Sequence, residues 1–396
     1  MSLANGRHYL AIPGPSVMPD RVLQAMHRPA PNIYTGQLVD MTATIVADLK
    51  QVARTRHEVA IYIANGHGAW EAALCNTLSR GDRILILGTG RFCQGWGEMA
   101  RGLGIETEII DFGFRAAVDL DRVAEALRAD TGHKIKAVLA VQVDTASSVK
   151  NDIPGLRRVL DETGHPALLF SDNIACLAVD EFHMDDWGVD VMVTGCQKGL
   201  MVPPGMSFVF FNDKADAARE TADCVTPYWD WRPRANPALY YQHFCGTAPT
   251  HHLYGLREAL DMILHEEGLE AVWRRHKVLA GAVWAAFEAW GTGTDIELNI
   301  AGPAERSHAV TTVRMGGVAG TRLRHWLEQQ AGITLGIPLG APEEDANGIF
   351  RIGHMGHVNA HMVMGVLGSL QAGMTASRIS HGPGGLDAAA EVIAKG

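Results

Sequence analysis

The chain lacks a basic excess, a long apolar run and any paired-cysteine motif. Its 396 residues carry a formal charge of -10, which argues against nucleic acid or an anionic membrane as partner, because both attract a net basic surface or patch. No apolar stretch approaches the roughly 18 residues that span a bilayer. The opening Met1-Ser2-Leu3-Ala4-Asn5-Gly6 has neither the charged nor the apolar region of a signal peptide, so the cytoplasm is the expected compartment. The six cysteines (Cys75, Cys93, Cys176, Cys196, Cys224, Cys245) are scattered without a C-x-x-C pair, which suggests neither a disulfide framework nor a zinc site. Nucleotide fingerprints are missing too. Gly88-Thr89-Gly90 is followed by Gly95, too late for G-x-G-x-x-G, and there is no P-loop. What remains is an ordinary globular composition, 47% apolar and 20% charged, on a chain long enough for two or three domains.

From about residue 59 to 211, short runs of Val, Ile and Leu alternate with helical patterns, as in a mostly parallel sheet covered by helices. The runs predict strands at 59–63, 83–87, 106–110, 136–143, 167–171, 189–193 and 207–211. Apolar spacing of i, i+3, i+4 predicts helices at 69–79, 94–103, 119–129, 153–163 and 213–221. The segment between the last two strands is too irregular for a crossover helix, so 207–211 should return antiparallel and make the sheet mixed. A long helical stretch from Leu253 to about Trp290 is interrupted at Glu267-Gly268. Beyond it, strands near 308–314 and 348–352 and helices near 320–331 and 359–372 describe a smaller α+β unit, with a short helical tail after Gly382-Pro383-Gly384-Gly385. The division expected is a large domain over 16–265, a small one over 266–396, and an N-terminal segment 1–15 joined to the latter.

Lys198 lies between two of the apolar runs, in Gly195-Cys196-Gln197-Lys198-Gly199, and Asp172 ends the strand Ala167-Leu168-Leu169-Phe170-Ser171. A lysine held beside glycines at the edge of a buried sheet is suited to imine chemistry, since burial or nearby positive charge lowers its pKa. A strand runs through Asn65-Gly66-His67-Gly68-Ala69-Trp70 straight into a helix, whose free N–H groups and positive dipole end form a phosphate cradle. Phe92 is placed to stack on a flat ring or to fill the core. Asp144-Thr145 reaches the sheet edge where such folds hold ligands, and Thr145 is a candidate for a ligand hydroxyl or for a cap. Arg351, in Ile349-Phe350-Arg351-Ile352-Gly353, needs a partner in its apolar strand; the candidates are a substrate carboxylate and an internal Asp or Glu. His354, His357 and His361 follow closely, but no carboxylate or cysteine cluster completes a metal shell, and no metal is expected.

With these motifs assembled, the chain resembles the class V, fold-type I aminotransferases that depend on pyridoxal 5'-phosphate (PLP), in the serine–glyoxylate and alanine–glyoxylate branch. The resemblance runs from Ile12-Pro13-Gly14-Pro15 to the Arg351 strand, and rests most on Gly195 to Gly205, Asn65 to Leu74, Trp187-Gly188-Val189-Asp190 and Phe350 to His354. It implies Lys198 as the lysine that holds PLP, Asp172 as partner of the pyridine nitrogen, and Phe92 as the residue stacked on the ring. It further implies Gly66, His67, Gly68 and Gln197 as phosphate ligands, Thr145 near the ring hydroxyl, and a homodimer in which Thr247 reaches the neighbouring subunit's phosphate. Arg351 becomes the carboxylate clamp. Trp70, Tyr34 and Phe92 line the substrate side and leave little room for a bulky side chain.

Three departures fall where the family faces cofactor or substrate: Asn32-Ile33-Tyr34 replaces a His-Arg pair, Asn173-Ile174-Ala175-Cys176 replaces small hydroxyl residues, and Ala146-Ser147-Ser148-Val149 replaces a Ser/Thr-Gly turn. They leave the cofactor set intact and bear on substrate identity. The implied reaction is a ping-pong transfer of an amino group from a small amino acid (serine, alanine or aspartate) to glyoxylate or pyruvate. Its rivals are a same-fold lyase or desulfurase, which needs a mobile-loop cysteine such as Cys224 or Cys245, and a pyridoxamine–pyruvate type transaminase, which should lack a full phosphate cup.

Overall fold

The computed structural model describes residues 2–396. Seven strands form one mixed sheet in the order Glu58–Tyr62, Ser207–Phe211, Val191–Gly195, Leu168–Asp172, Ile135–Val141, Arg83–Gly88, Glu106–Asp111. Ser207–Phe211 is antiparallel to both neighbours, with Ser207 opposite Tyr62 on one side and Gly195 on the other. The remaining pairs are parallel, so the antiparallel return expected after the Lys198 loop is present. Every residue of Leu168–Asp172, Val191–Gly195 and Ser207–Phe211 is buried, because helices cover both faces. Alternate side chains serve alternate faces. Leu85, Leu87, Val138, Leu169 and Met192 pack with helices Gln37–Val52, Leu120–Ala129 and Ile153–Thr163. Ile84, Ile86, Leu139, Phe170 and Val193 meet Gly66–Thr77 and Arg91–Gly102 instead.

Two expected strands end differently. The run 136–143 stops at Val141, and the chain then makes a small hairpin pairing Val143 with Lys150 and Asp144 with Val149. The strand expected at 189–193 lies at Val191–Gly195. Its start is displaced because buried Asp190 accepts the Leu169 N–H at 2.8 Å and the Asn212 amide at 2.8 Å, a polar anchor inside an apolar run.

In the C-terminal part, Glu297–Leu298, Val310–Arg314 and Ile349–Gly353 form an antiparallel sheet. Its core includes Val313, Phe350 and Ile352 against Leu279, Val283 and Phe287 of helix Leu269–Gly291 and Leu367 and Leu370 of helix Ala360–Ala376. The helical stretch from residue 250 breaks as expected: a wide π-type turn over Asp261–Glu267 leads to Gly268 at φ +86°, where the next helix begins. Tyr9–Ala11 pairs parallel with Ile333–Leu335, which ties the N-terminal segment to this part. The hairpin at Val143–Lys150 joins the two sheets, since Thr312 donates its N–H to Ser148 Oγ at 3.1 Å and its hydroxyl to the Ala146 carbonyl at 3.1 Å. Among the described residues no helix is long and apolar enough to cross a membrane.

Candidate active site

The segments after strands Glu58–Tyr62, Arg83–Gly88, Ile135–Val141, Leu168–Asp172 and Val191–Gly195 converge at one sheet edge, where Gly66, His67, Trp70, Phe92, Thr145, Asp172, Gln197 and Lys198 line a cavity of about 210 Å³. Gly68 lies in the adjoining first turn of the helix. An open α/β sheet gathers ligands at this edge because each strand delivers a different loop there.

Lys198 Nζ donates to the carbonyl of Pro13. The amine is buried, and desolvation first and the Arg351 charge second bring its pKa from 10.5 down to about 8, with Asp172 opposing. Such an amine is a nucleophile near neutral pH. The N-terminal segment is shaped around it. Gly14 has φ +95°, and a Cβ there would stand 2.3 Å from Nζ. Ser16 donates its hydroxyl to the Lys198 carbonyl at 2.7 Å and its N–H to the Gln197 carbonyl at 2.9 Å.

Asp172 accepts the Trp70 indole N–H at 2.8 Å and the Ile174 N–H at 2.7 Å. Burial pushes its pKa up to about 7 against these two donors, with Asp144 adding to the rise and Lys198 opposing it. In its ionised form, a carboxylate this basic accepts a strong hydrogen bond from a protonated heterocyclic nitrogen. Trp70 stacks on Trp96 at 5.9 Å and turns its indole N–H to Asp172 while still lining the cavity.

At the other end of the cavity the cradle is partly taken. The Asn65 side chain accepts from the N–H groups of His67 at 3.1 Å and Gly68 at 3.4 Å, while the Gly66 N–H has no partner among the described residues. Burial first and Arg91 second lower the His67 pKa, which keeps the imidazole neutral. Gln197 Oε1 is buried without a hydrogen bond, an orphan polar atom of the kind a ligand completes. Gly66 has no space for a side chain, since a Cβ would lie 2.3 Å from Ile174 Cδ1.

Arg351 has no carboxylate within ion-pair distance among the described residues. Nε donates to the Ile337 carbonyl at 2.7 Å and Nη1 to the Thr145 carbonyl at 2.8 Å, which leaves Nη2 free for an anion. Burial lowers its pKa from 12.5 to about 10, with Asp144 opposing. Asp144 is the acidic residue that sequence reasoning left without a role. It is fully buried and accepts the N–H groups of Phe92 at 2.9 Å and Ala146 at 2.9 Å. Gly90 admits it, because a Cβ there would be 2.4 Å from its Cγ. The signal was present as an aspartate at a strand end opposite a Gly-x-Gly turn.

The described chain does not bring Tyr34 or Thr247 to the cavity. Tyr34 is 81% exposed, and Thr247 is exposed on the loop after Cys245. Asn173, in one of the departing segments, turns away from the cavity into a buried network with Gln142, Ser171 and Cys176. His354 has both ring nitrogens committed. Nδ1 donates to the His308 carbonyl at 2.8 Å, so Nε2 accepts from Thr311 at 2.8 Å.

A buried low-pKa lysine, a basic buried carboxyl, a polar socket with an unpaired Gln197 oxygen and a free guanidinium edge on this α/β scaffold define a PLP-dependent transferase of fold type I. The chain belongs to the family Aminotransferase class-V, whose pattern matches residues 8–337. It is 35% identical to the serine–glyoxylate aminotransferase of Methylorubrum extorquens over 97% of this chain and 95% of that protein. It is 36% identical to the L-aspartate–glyoxylate aminotransferase of Paracoccus denitrificans, covering 89% and 87%. The solved pyridoxamine–pyruvate aminotransferase of Mesorhizobium loti superposes with a TM-score of 0.88 at 25% identity over 100% of both chains. The enzyme is therefore an aminotransferase with amino-acid and keto-acid substrates.

Proposed function

We propose that this aminotransferase moves an amino group from a small donor, serine, alanine or aspartate, to glyoxylate or pyruvate in two half-reactions on one site. The observation that carries the reading is Arg351, whose Nη1 holds the carbonyl of the cavity-lining Thr145 while its Nη2 has no protein partner among the described residues, an arrangement that suits a substrate carboxylate. In this reading Lys198 and Asp172 are the catalytic pair, while Gly66, His67, Gly68, Phe92, Thr145 and Gln197 hold PLP. When bound, PLP supplies a ring that takes up the electron pair left at the substrate α-carbon. Lys198 Nζ moves the proton at that carbon, and its lowered pKa matches the task. Asp172 holds the proton on the ring nitrogen. Arg351 fixes the carboxylate and so selects which α-carbon bond stands perpendicular to the ring.

The division into domains at 265/266, with residues 1–15 serving the second, is part of this reading, and so is a homodimer whose protomers exchange Thr247. The cytoplasm remains the proposed compartment, supported by six unpaired cysteines. A cysteine-dependent lyase has little support: Cys224 is buried with its thiol pKa pushed up by burial, and Cys245 sits on an ordered turn.

Two measurements test the proposal. Borohydride reduction followed by peptide mass analysis should find the pyridoxyl mass on the peptide bearing Lys198; a mass elsewhere overturns the lysine assignment. Single-turnover spectra with serine, alanine and aspartate should show the cofactor band converting, and no conversion with any of them overturns the small-donor reading.

A further inference from the structure

A cleft larger than the cofactor cavity lies away from it. It encloses about 790 Å³ between the hairpin and loops beyond strand Ile135–Val141 and the helix Leu269–Gly291, within the range of small-molecule sites. Its acidic lining is mostly committed. Asp180 is buried and paired with His308 at 2.7 Å, Glu181 pairs with His183 at 3.0 Å, Asp152 with Arg158 at 3.3 Å, and Glu270 with Arg54. Its cations are not. Arg274 and Lys277 form no ion pair or hydrogen bond among the described residues, and Lys150 has only Asp180, at 4.0 Å. Among the described residues lining the cleft, Glu305 is the one uncommitted carboxylate against these three. Arg274 and Lys277 are three apart on one helix, so they are neighbours that repel. A chain of formal charge -10 that gathers unpaired cations in a concave site presents them to an anion.

We propose that this cleft binds a compact polyanion carrying two or three charges, a di- or tricarboxylate or a phosphate ester, held by Arg274, Lys277 and Lys150. The site is distinct from the cofactor cavity but joined to it through Gln142. The Gln142 side chain donates to the Glu181 carbonyl at 3.0 Å and accepts from Asn173, and the backbone N–H of Gln142 donates to the Asp172 carbonyl at 2.9 Å. An anion in the cleft therefore bears on the wall that carries Asp172.

The test is calorimetric titration of the PLP-loaded enzyme, so that the phosphate end of the active site is filled, with citrate and with pyrophosphate at constant ionic strength. One saturable site per chain is expected for at least one of them, and which one binds distinguishes the carboxylate source from the phosphate source. Arg274→Ala/Lys277→Ala should weaken binding by about tenfold or more, and Lys277→Glu should weaken it as well. Both positions are exposed, so the fold does not depend on them. No saturable binding of either anion, or unchanged affinity in both variants, overturns the proposal.

Discussion

Removing the indole N–H of Trp70 leaves Asp172 with one donor in place of two. A hydrogen bond to a charged group contributes about 1.5–3 kcal/mol. Trp70→Phe should therefore drive the Asp172 carboxyl further toward its neutral form and lower kcat by about 10- to 100-fold, while KM for the donor changes little; steady-state kinetics check the split. Lys198 makes a pH prediction. Its pKa is depressed from 10.5 to about 8, so between about pH 8 and 10.5 the unfolded chain keeps a proton that the folded, cofactor-free chain has released. Stability of the cofactor-free protein should rise with pH across that window, and the rate of PLP uptake should climb with a midpoint near 8. Arg351→Ala removes one of the two causes of the depression and should move that midpoint upward. It should also raise KM for donor and acceptor together while the cofactor colour persists; a colourless variant would mean that Arg351 serves the fold instead.

At the scale of elements, the segment Ile12 to Ser16 is a strap between the Lys198 loop and the Arg351 strand. Pro13 accepts from Lys198, Ser16 bonds residues 197 and 198, and a Cβ on Gly353 would strike the Ile12 carbonyl. Gly14→Val combines a positive-φ strain with a collision at Nζ, so PLP retention should fall steeply while thermal unfolding shifts only modestly; absorbance after gel filtration reads the first. Little of this strap was legible in sequence, because its contacts join residues more than 180 positions apart. The central strands were legible for a local reason. Burial on both faces makes each an unbroken apolar run, and the expected spans for Ser207–Phe211 and helix Ile153–Thr163 match the observed ones. Helix Gln37–Val52 is absent from the expected elements, although Leu38, Ile45, Leu49 and Val52 mark its buried face. The parallel pair of Tyr9–Ala11 with Ile333–Leu335 carries no local signal at all. In the site, residue types were readable and directions were not. Arg351 was expected to need a carboxylate from substrate or protein, and the protein supplies only carbonyls. The bulk of Trp70 is legible in the sequence, and the direction of its N–H toward Asp172 is not.

The whole molecule leaves two expected contributors, Tyr34 and Thr247, outside its own cavity. Thr247 is exposed on the loop following Cys245, on the segment that also exposes Tyr228, Leu239 and Tyr241. Tyr228 hydrogen-bonds the Ile63 carbonyl at 3.0 Å, which sets this apolar face beside Asn65 at the cradle end of the cavity. Exposed aromatic and aliphatic groups around a polar socket suit a second copy of the chain, and a two-fold dimer would present the same face twice. If Thr247 acts only across that interface, a Lys198→Ala protomer keeps a usable Thr247, and a Thr247→Arg protomer keeps a usable Lys198. Each variant alone should be inactive or nearly so. Co-expressed, half of randomly formed dimers are mixed, and each mixed dimer holds one intact site of two, so about a quarter of wild-type activity should return. Activity that stays at the level of the separate variants would mean that Thr247 acts within its own chain or not at all, and that the cavity is complete in one protomer.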